Sequence, residues 1–270
     1  MRPALILLRH SVVRSRTLVG GLGLLLFVFQ VLFVLLARTL QASNTFGQIA
    51  ELAPPFVREL FGSSFVTMLS FSGIVAFGYF HPAILAALVG VAIAVSSEPA
   101  GESERRFTDL VLARPASRAH VMTRSALLLA AVTVCLVGLM VAGTWLALWS
   151  LGGTDAPRVR PGLIGSLALN LAALVFCWGG ITLALAARGR RRGAVGAAAA
   201  GLALTAFVVD YMARVWAPLR PAAWLSPFHY YDPMAMLLGT DLPVAHLWTL
   251  GGAGLAGIAV AYWVYARRDL

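Results

Sequence analysis

The sequence predicts an all-α integral membrane protein with six transmembrane helices and both termini in the cytoplasm. Three observations carry this reading. The 270-residue chain is 60% hydrophobic and only 12% charged, whereas soluble domains hold about 45–50% apolar and about 25% charged residues. The apolar residues fall in long blocks, and a helix rising about 1.5 Å per residue needs about 20 of them to cross the hydrocarbon layer. The blocks also lack the alternation of the roughly ten-residue strands of a membrane barrel. A single membrane domain over residues 1–270 follows.

The spans read, in order, Thr17–Ala37, Tyr79–Ser97, Met122–Leu151, Pro161–Ala187, Ala194–Ala213 and Val244–Ala266. The stretch Phe61–Phe80 is apolar but carries Ser63, Ser64, Thr67, Ser70 and Ser72. It reads as an outer extension of the second span bent at Pro82, as an interfacial or re-entrant helix, or as a seventh span. Ahead of the first span, Arg2, Arg9 and Arg16 recur every seven residues on one helical face. That pattern fits a short helix on the membrane surface or a plain basic flank. The run is longer than a signal-peptide core and lacks a good cleavage site, so a retained span is expected.

Arginine sets the orientation, because cytoplasmic loops collect positive charge. With six spans, 15 of the 21 basic residues fall on the side of the termini and 6 on the other. The net charge of +10 then reflects membrane edges and anionic lipid, and no nucleic-acid partner is expected.

The chemistry that is missing narrows the function. The chain has no lysine, and a P-loop needs one at the nucleotide phosphates. No HExxH or GxSxG motif is present, so no metal and no catalytic residue is assigned and the chain is not read as an enzyme. Cys135 and Cys177 fall within spans and indicate neither a disulfide framework nor a metal cluster. The run Gly252–Gly257 matches GxGxxG, but it lies inside the sixth span with no strand before it. Its small residues are expected to admit a neighbouring helix, and so are Gly196, Ala197, Ala200 and Gly201. Asp210 is the only acidic residue within a span, and Arg214 follows one helical turn later as its partner. Gln30 and Asn170 lie deeper, where each either lines a pathway or bonds a neighbouring helix.

The loop Glu98–Arg124 is the most informative stretch. Glu102 with Arg106, and Arg105 with Asp109, stand at helix-supporting spacing, with Phe107, Leu110 and Val111 on one face. Arg114 precedes Pro115, which disfavours helix at Arg114, and Ser117 can cap the helix that follows. A short amphipathic helix exposed for docking is one reading; a solvated loop resting on lipid is the other.

This loop resembles that of the type-2 permease family of ATP-binding-cassette (ABC) exporters. The pattern is an acid at the end of the second span, a glycine three residues on, an apolar stretch and Arg-Pro-x-Ser-Arg: here Glu98, Gly101, Leu110 to Leu112 and Arg114-Pro115-Ala116-Ser117-Arg118. The family often has Gly-Thr after the acid, and here Glu102 follows Gly101. A second match is Leu225 to Pro233, similar to the family's segment between spans five and six.

The resemblance implies a permease subunit that pairs with a second copy or homologue. Separate P-loop ATPase subunits would bring ATP and magnesium, and this chain would carry no cofactor. It implies a coupling helix around Glu102–Leu112 with ends anchored by Glu98 and Arg118, and contacts through Phe107, Leu110 and Arg114 to the ATPase. It also implies short extracellular helices around Trp224–Asp241, with Trp224, Pro227, Tyr230 and Tyr231 at an outer gate, and a bacterial inner-membrane location. The alternatives are an ion-coupled carrier or channel, disfavoured by the scarcity of membrane carboxylates, and a membrane scaffold of an ATP-driven protein-maturation complex.

Overall fold

A computed structural model describes residues 2–43, 67–104, 118–151 and 159–267. Among these residues every regular element is helical. In chain order they are α1 (Arg2–Ala42), α2 (Phe71–Phe80), α3 (Pro82–Ser96), α4 (Glu98–Glu104), α5 (Arg118–Leu151), α6 (Pro161–Arg188), α7 (Arg192–Val215), α8 (Arg220–Ala223), α9 (Pro233–Leu237) and α10 (Val244–Ala266). Two 3-10 turns, Ala217–Leu219 and Pro227–Tyr230, flank α8. Six helical stretches are long and apolar enough to cross a bilayer: Arg16–Ala42, Phe71–Ser96, Ala119–Leu151, Pro161–Arg188, Arg192–Val215 and Val244–Ala266. The chain is a multi-pass membrane protein.

The second span begins earlier than its hydropathy indicates. It comprises α2 and α3, joined at His81. Ser70 caps α2, its hydroxyl accepting from the Gly73 N–H at 3.1 Å. Pro82 sits at the first position of α3, where its missing N–H costs nothing. The His81 ring nitrogen accepts from the Ala83 N–H at 3.2 Å and satisfies a second open donor. Of the polar residues that made Phe61–Phe80 ambiguous, Ser70 therefore acts at a helix start. Residues 71–80 belong to the second span, while 61–66 lie outside the described residues.

The N-terminal flank is continuous with the first span. α1 is 41 residues long, about 60 Å at 1.5 Å per residue and twice the hydrocarbon thickness of about 30 Å. Its first part extends the span as helix and is not a separate element.

α6 is the central helix, and much of it is buried. It packs along α10 and also meets α3 and α5, while α1 packs along α5. The α6–α10 seam is built from glycine. A Cβ on Gly180 would lie 2.7 Å from Gly254 Cα, and one on Gly257 would lie 2.5 Å from Gly180 C. Lipid offers no hydrophobic drive for helix pairing, so close backbone approach supplies the dispersion contact instead. The GxGxxG run is thus a packing surface through Gly254 and Gly257. Gly252 meets nothing within 4 Å. Gly196 and Gly201 of α7 also meet nothing, and Ala197 and Ala200 are exposed. Among the described residues no neighbouring helix comes close at Gly196 or Gly201 in that stripe.

Candidate functional site

The arginine-rich end is closed by α4. Only Ser97 separates α4 from α3, and Glu98, Pro99, Ala100 and Gly101 are all buried. Ala100 packs with Leu185 and Ala186 of α6 and Val195 of α7. Glu102 receives both guanidinium nitrogens of Arg124 in the first turns of α5, at 2.7 and 2.9 Å. This bidentate geometry matches the two carboxylate oxygens and is the strong form of the ion pair. The Arg124 side chain is 3% exposed and that of Glu102 12%, so the pair is shielded.

Glu104 accepts the backbone N–H of Arg192 at 3.0 Å. A carboxylate there satisfies an open donor at the start of α7 and opposes the helix dipole. Arg192 in turn donates to the Ala94 carbonyl near the end of α3 at 2.9 Å. A Cβ on Gly101 would lie 3.1 Å from Arg192 Cδ and 3.3 Å from its Cβ, so glycine lets the arginine stem lie flat against α4. One short helix thereby ties together the ends of α3, α5, α6 and α7.

Both oxygens of Glu102 accept from Arg124, so Glu102 braces the bundle end. Arg106, Phe107, Leu110 and Arg114 lie outside the described residues. Arg118 opens α5. The sequence signal for Arg124 and Arg192 was available: each is a charge at the first turns of an apolar span, where burial demands a partner. Counting them only toward orientation missed their roles.

The opposite end is capped by the segment between α7 and α10. Asp210 holds Arg214 at 2.9 and 3.2 Å, the expected partner one turn on, and the His229 ring nitrogen lies 3.6 Å from its other oxygen. Buried Ser226 donates to the Ala206 carbonyl at 2.9 Å and accepts from the Phe228 N–H at 3.2 Å. That anchors the turn that starts at Pro227. Phe228 inserts between Trp178 of α6 and Phe207 of α7, with ring centroids 5.6 and 5.4 Å away. Tyr230 donates to the Trp224 carbonyl at 3.0 Å, and the Trp224 ring is exposed beside His229. Asp232 caps α9, accepting from the Ala235 N–H at 3.2 Å.

Tyr231 links this cap to the bundle. It is buried and donates to the Tyr79 carbonyl at the end of α2, at 2.9 Å. The Tyr79 hydroxyl lies 3.0 Å from Thr144 Oγ1, which lies 3.4 Å from the Gln30 carbonyl oxygen. A chain of polar contacts therefore joins Tyr231, expected at the gate, to Gln30, which bonds a neighbouring helix, across α1, α2 and α5. Burial pushes the Tyr231 hydroxyl above the ordinary tyrosine value, and neighbouring Tyr79 adds to the shift. The folded state thus favours the neutral hydroxyl. Its contribution to stability is complete below pH about 10, where the unfolded tyrosine is also neutral, and declines as pH rises beyond that. Tyr231→Phe should leave the Tyr79 carbonyl unpaired at a cost of about 1–3 kcal/mol, read as a lower thermal midpoint with span packing otherwise retained.

Gln30 and Asn170 are both fully buried. Gln30 lies against Gly78, whose absent side chain leaves room for the amide. Neither amide atom of Asn170 finds a partner among the described residues. A separate groove of about 470 Å³ runs between α3 and α7, lined by apolar residues from Leu85 to Ile93 and from Ala200 to Phe207. Neither Gln30 nor Asn170 lines it. Among the described residues no group of His, Cys, Asp and Glu could hold a metal ion.

In comparison with known proteins, no family model, curated protein or solved structure matches this chain.

Proposed function

We propose that this chain is the membrane subunit of an ABC exporter, pairing with a second permease and driven by separate P-loop ATPase subunits at its arginine-rich, cytoplasmic end. The supporting observation is the bracing of α4. A push on the segment that follows Glu104 acts on a helix tied by Glu102 to α5, by Glu104 to α7 and by Ser97 to α3. Rigid connection is the requirement for a part that converts closure of a partner into movement of spans. The absence of lysine agrees with a nucleotide site on another chain. The excess of arginine at the same end agrees with a cytoplasmic face, in a bacterial inner membrane. The cap from Trp224 to Tyr231 lies at the other end, where an exit would open.

Mild-detergent purification of the tagged chain from its native membrane, followed by mass spectrometry, tests this. A P-loop ATPase in near-equal amount is the expected result. A chain that emerges alone from several mild detergents would oppose the proposal and favour the scaffold or carrier readings.

A further inference from the structure

We propose that the α3–α7 groove and the charged cleft at its end form a binding site for one zwitterionic phospholipid, with an acyl chain in the groove and the headgroup in the cleft. The site stands apart from the exporter reading, because it requires only this chain.

The groove has the length and lining for a tail. Its α3 wall runs from Pro82 to Ile93, which is 11 residue steps, or about 16 Å at 1.5 Å per residue. Half of a hydrocarbon core of about 30 Å is one leaflet, so the groove fits the chains of one leaflet. Its walls are Leu85, Val89, Ile93, Ala203, Phe207 and Phe228, among others, with no charged residue. Gly90 lies along the groove, and a Cβ there would meet nothing within 4 Å.

The cleft continues from the groove. Ala203, Phe207, Asp210 and Arg214 recur at helical spacing and share one face of α7. The first two line the groove and the last two line the cleft. On the facing turn, Phe228 lines the groove and His229 lines the cleft. The cleft holds about 320 Å³, at the scale of small-ligand sites of about 300–1,000 Å³. It lies at the last turn of α7, where a headgroup sits, and exposed Trp224 lines it, as an aromatic residue of an interfacial belt does.

Its charges select a zwitterion. Arg214 and Arg220 stand with Asp210 and Asp232 in the lining, a balanced set of two cations and two carboxylates. Asp210 already occupies Arg214. Arg220 has no ion-pair or hydrogen-bond partner among the described residues, and its fork is shaped to receive a phosphate. Asp232 uses one oxygen to cap α9 and leaves the other for an ammonium, and the exposed Trp224 lines the same cleft and can offer a cation–π face.

Native mass spectrometry of the purified chain, loaded with dioleoyl-phosphatidylethanolamine or dioleoyl-phosphatidylglycerol, tests the site. One phosphatidylethanolamine should remain bound per chain under activation that strips loosely held lipid. Gly90→Phe places a ring in the groove from a position whose Cβ has open space around it, and Arg220→Ala removes the cation that has no partner among the described residues; each should lower retention by about tenfold, as the loss of one charge-assisted contact or one tail site does. Asp232→Asn keeps a capping residue and should abolish the preference for phosphatidylethanolamine over phosphatidylglycerol. Unchanged retention in both Gly90→Phe and Arg220→Ala, with normal gel-filtration profiles, would overturn the proposal. Displacement of the lipid by soluble phosphoethanolamine at equal concentration would overturn the acyl-chain half of it. Neither readout involves an ATPase, so this proposal and the exporter reading fail separately.

Discussion

Glu102→Ala should lower the thermal midpoint of the purified chain sharply, whether or not an ATPase is present. The substitution leaves the Arg124 guanidinium, 3% exposed, buried without its counter-ion. Breaking such a pair from one side costs about 3–5 kcal/mol, because the orphaned charge keeps its desolvation penalty. A loss of that size corresponds to a fall on the order of 10 °C for a chain of this length. Unfolding in detergent is often irreversible, so midpoints are compared at one scan rate. The paired replacement Glu102→Leu with Arg124→Met should recover most of the loss, since apolar residues of similar volume replace buried ion pairs at little cost. If Glu102→Ala alone leaves the midpoint unchanged, Glu102 is not a bracing residue and an exposed docking role becomes the better description. A charge reversal at Glu102 therefore tests folding first, and contact with a partner is better probed beyond Glu104.

Gly180→Leu should do comparable damage by a different route. A Cβ at Gly180 already collides with the backbone of Gly254, and backbone cannot rotate away as a side chain can. Overpacking costs about 1–3 kcal/mol where side chains can shift, and the rigid partner places this case at the upper end or beyond. Because α6 is the helix on which α3, α5 and α10 converge, displacement of one seam disturbs the others. Gly252→Leu, on the same helix as Gly254 but with open space around its Cβ, is the control. The expected outcome is a loss of monodisperse protein on gel filtration for Gly180→Leu and a normal profile for Gly252→Leu. Equal behaviour of the two would mean that α6 and α10 do not pack through glycine.

The spans were legible because bilayer thickness imposes a length that composition alone reveals. Their ends were less so. Hydropathy put the start of the second span at Tyr79, and the helix starts at Phe71, because Ser70 and Pro82 serve helix termini without interrupting the apolar run. The seam at Gly254 and Gly257 was readable as a small-residue pattern, but the partner Gly180 was not, since it lies over 70 positions away and pairing depends on how helices pack. Local spacing found Asp210 with Arg214. It could not find the pairing of Glu102 with Arg124, because Arg124 lies on the next span. The link from Tyr231 through Tyr79 and Thr144 to Gln30 was invisible for the same reason: its four residues come from distant parts of the chain.

The most direct test of the exporter account places a photo-crosslinking amino acid at Phe107, in the stretch expected to meet the ATPase, and irradiates native membranes. The account predicts an adduct with a P-loop ATPase, identified by mass spectrometry, that is lost when Arg114→Glu reverses the neighbouring charge. Crosslinks confined to lipid and to this chain would contradict it.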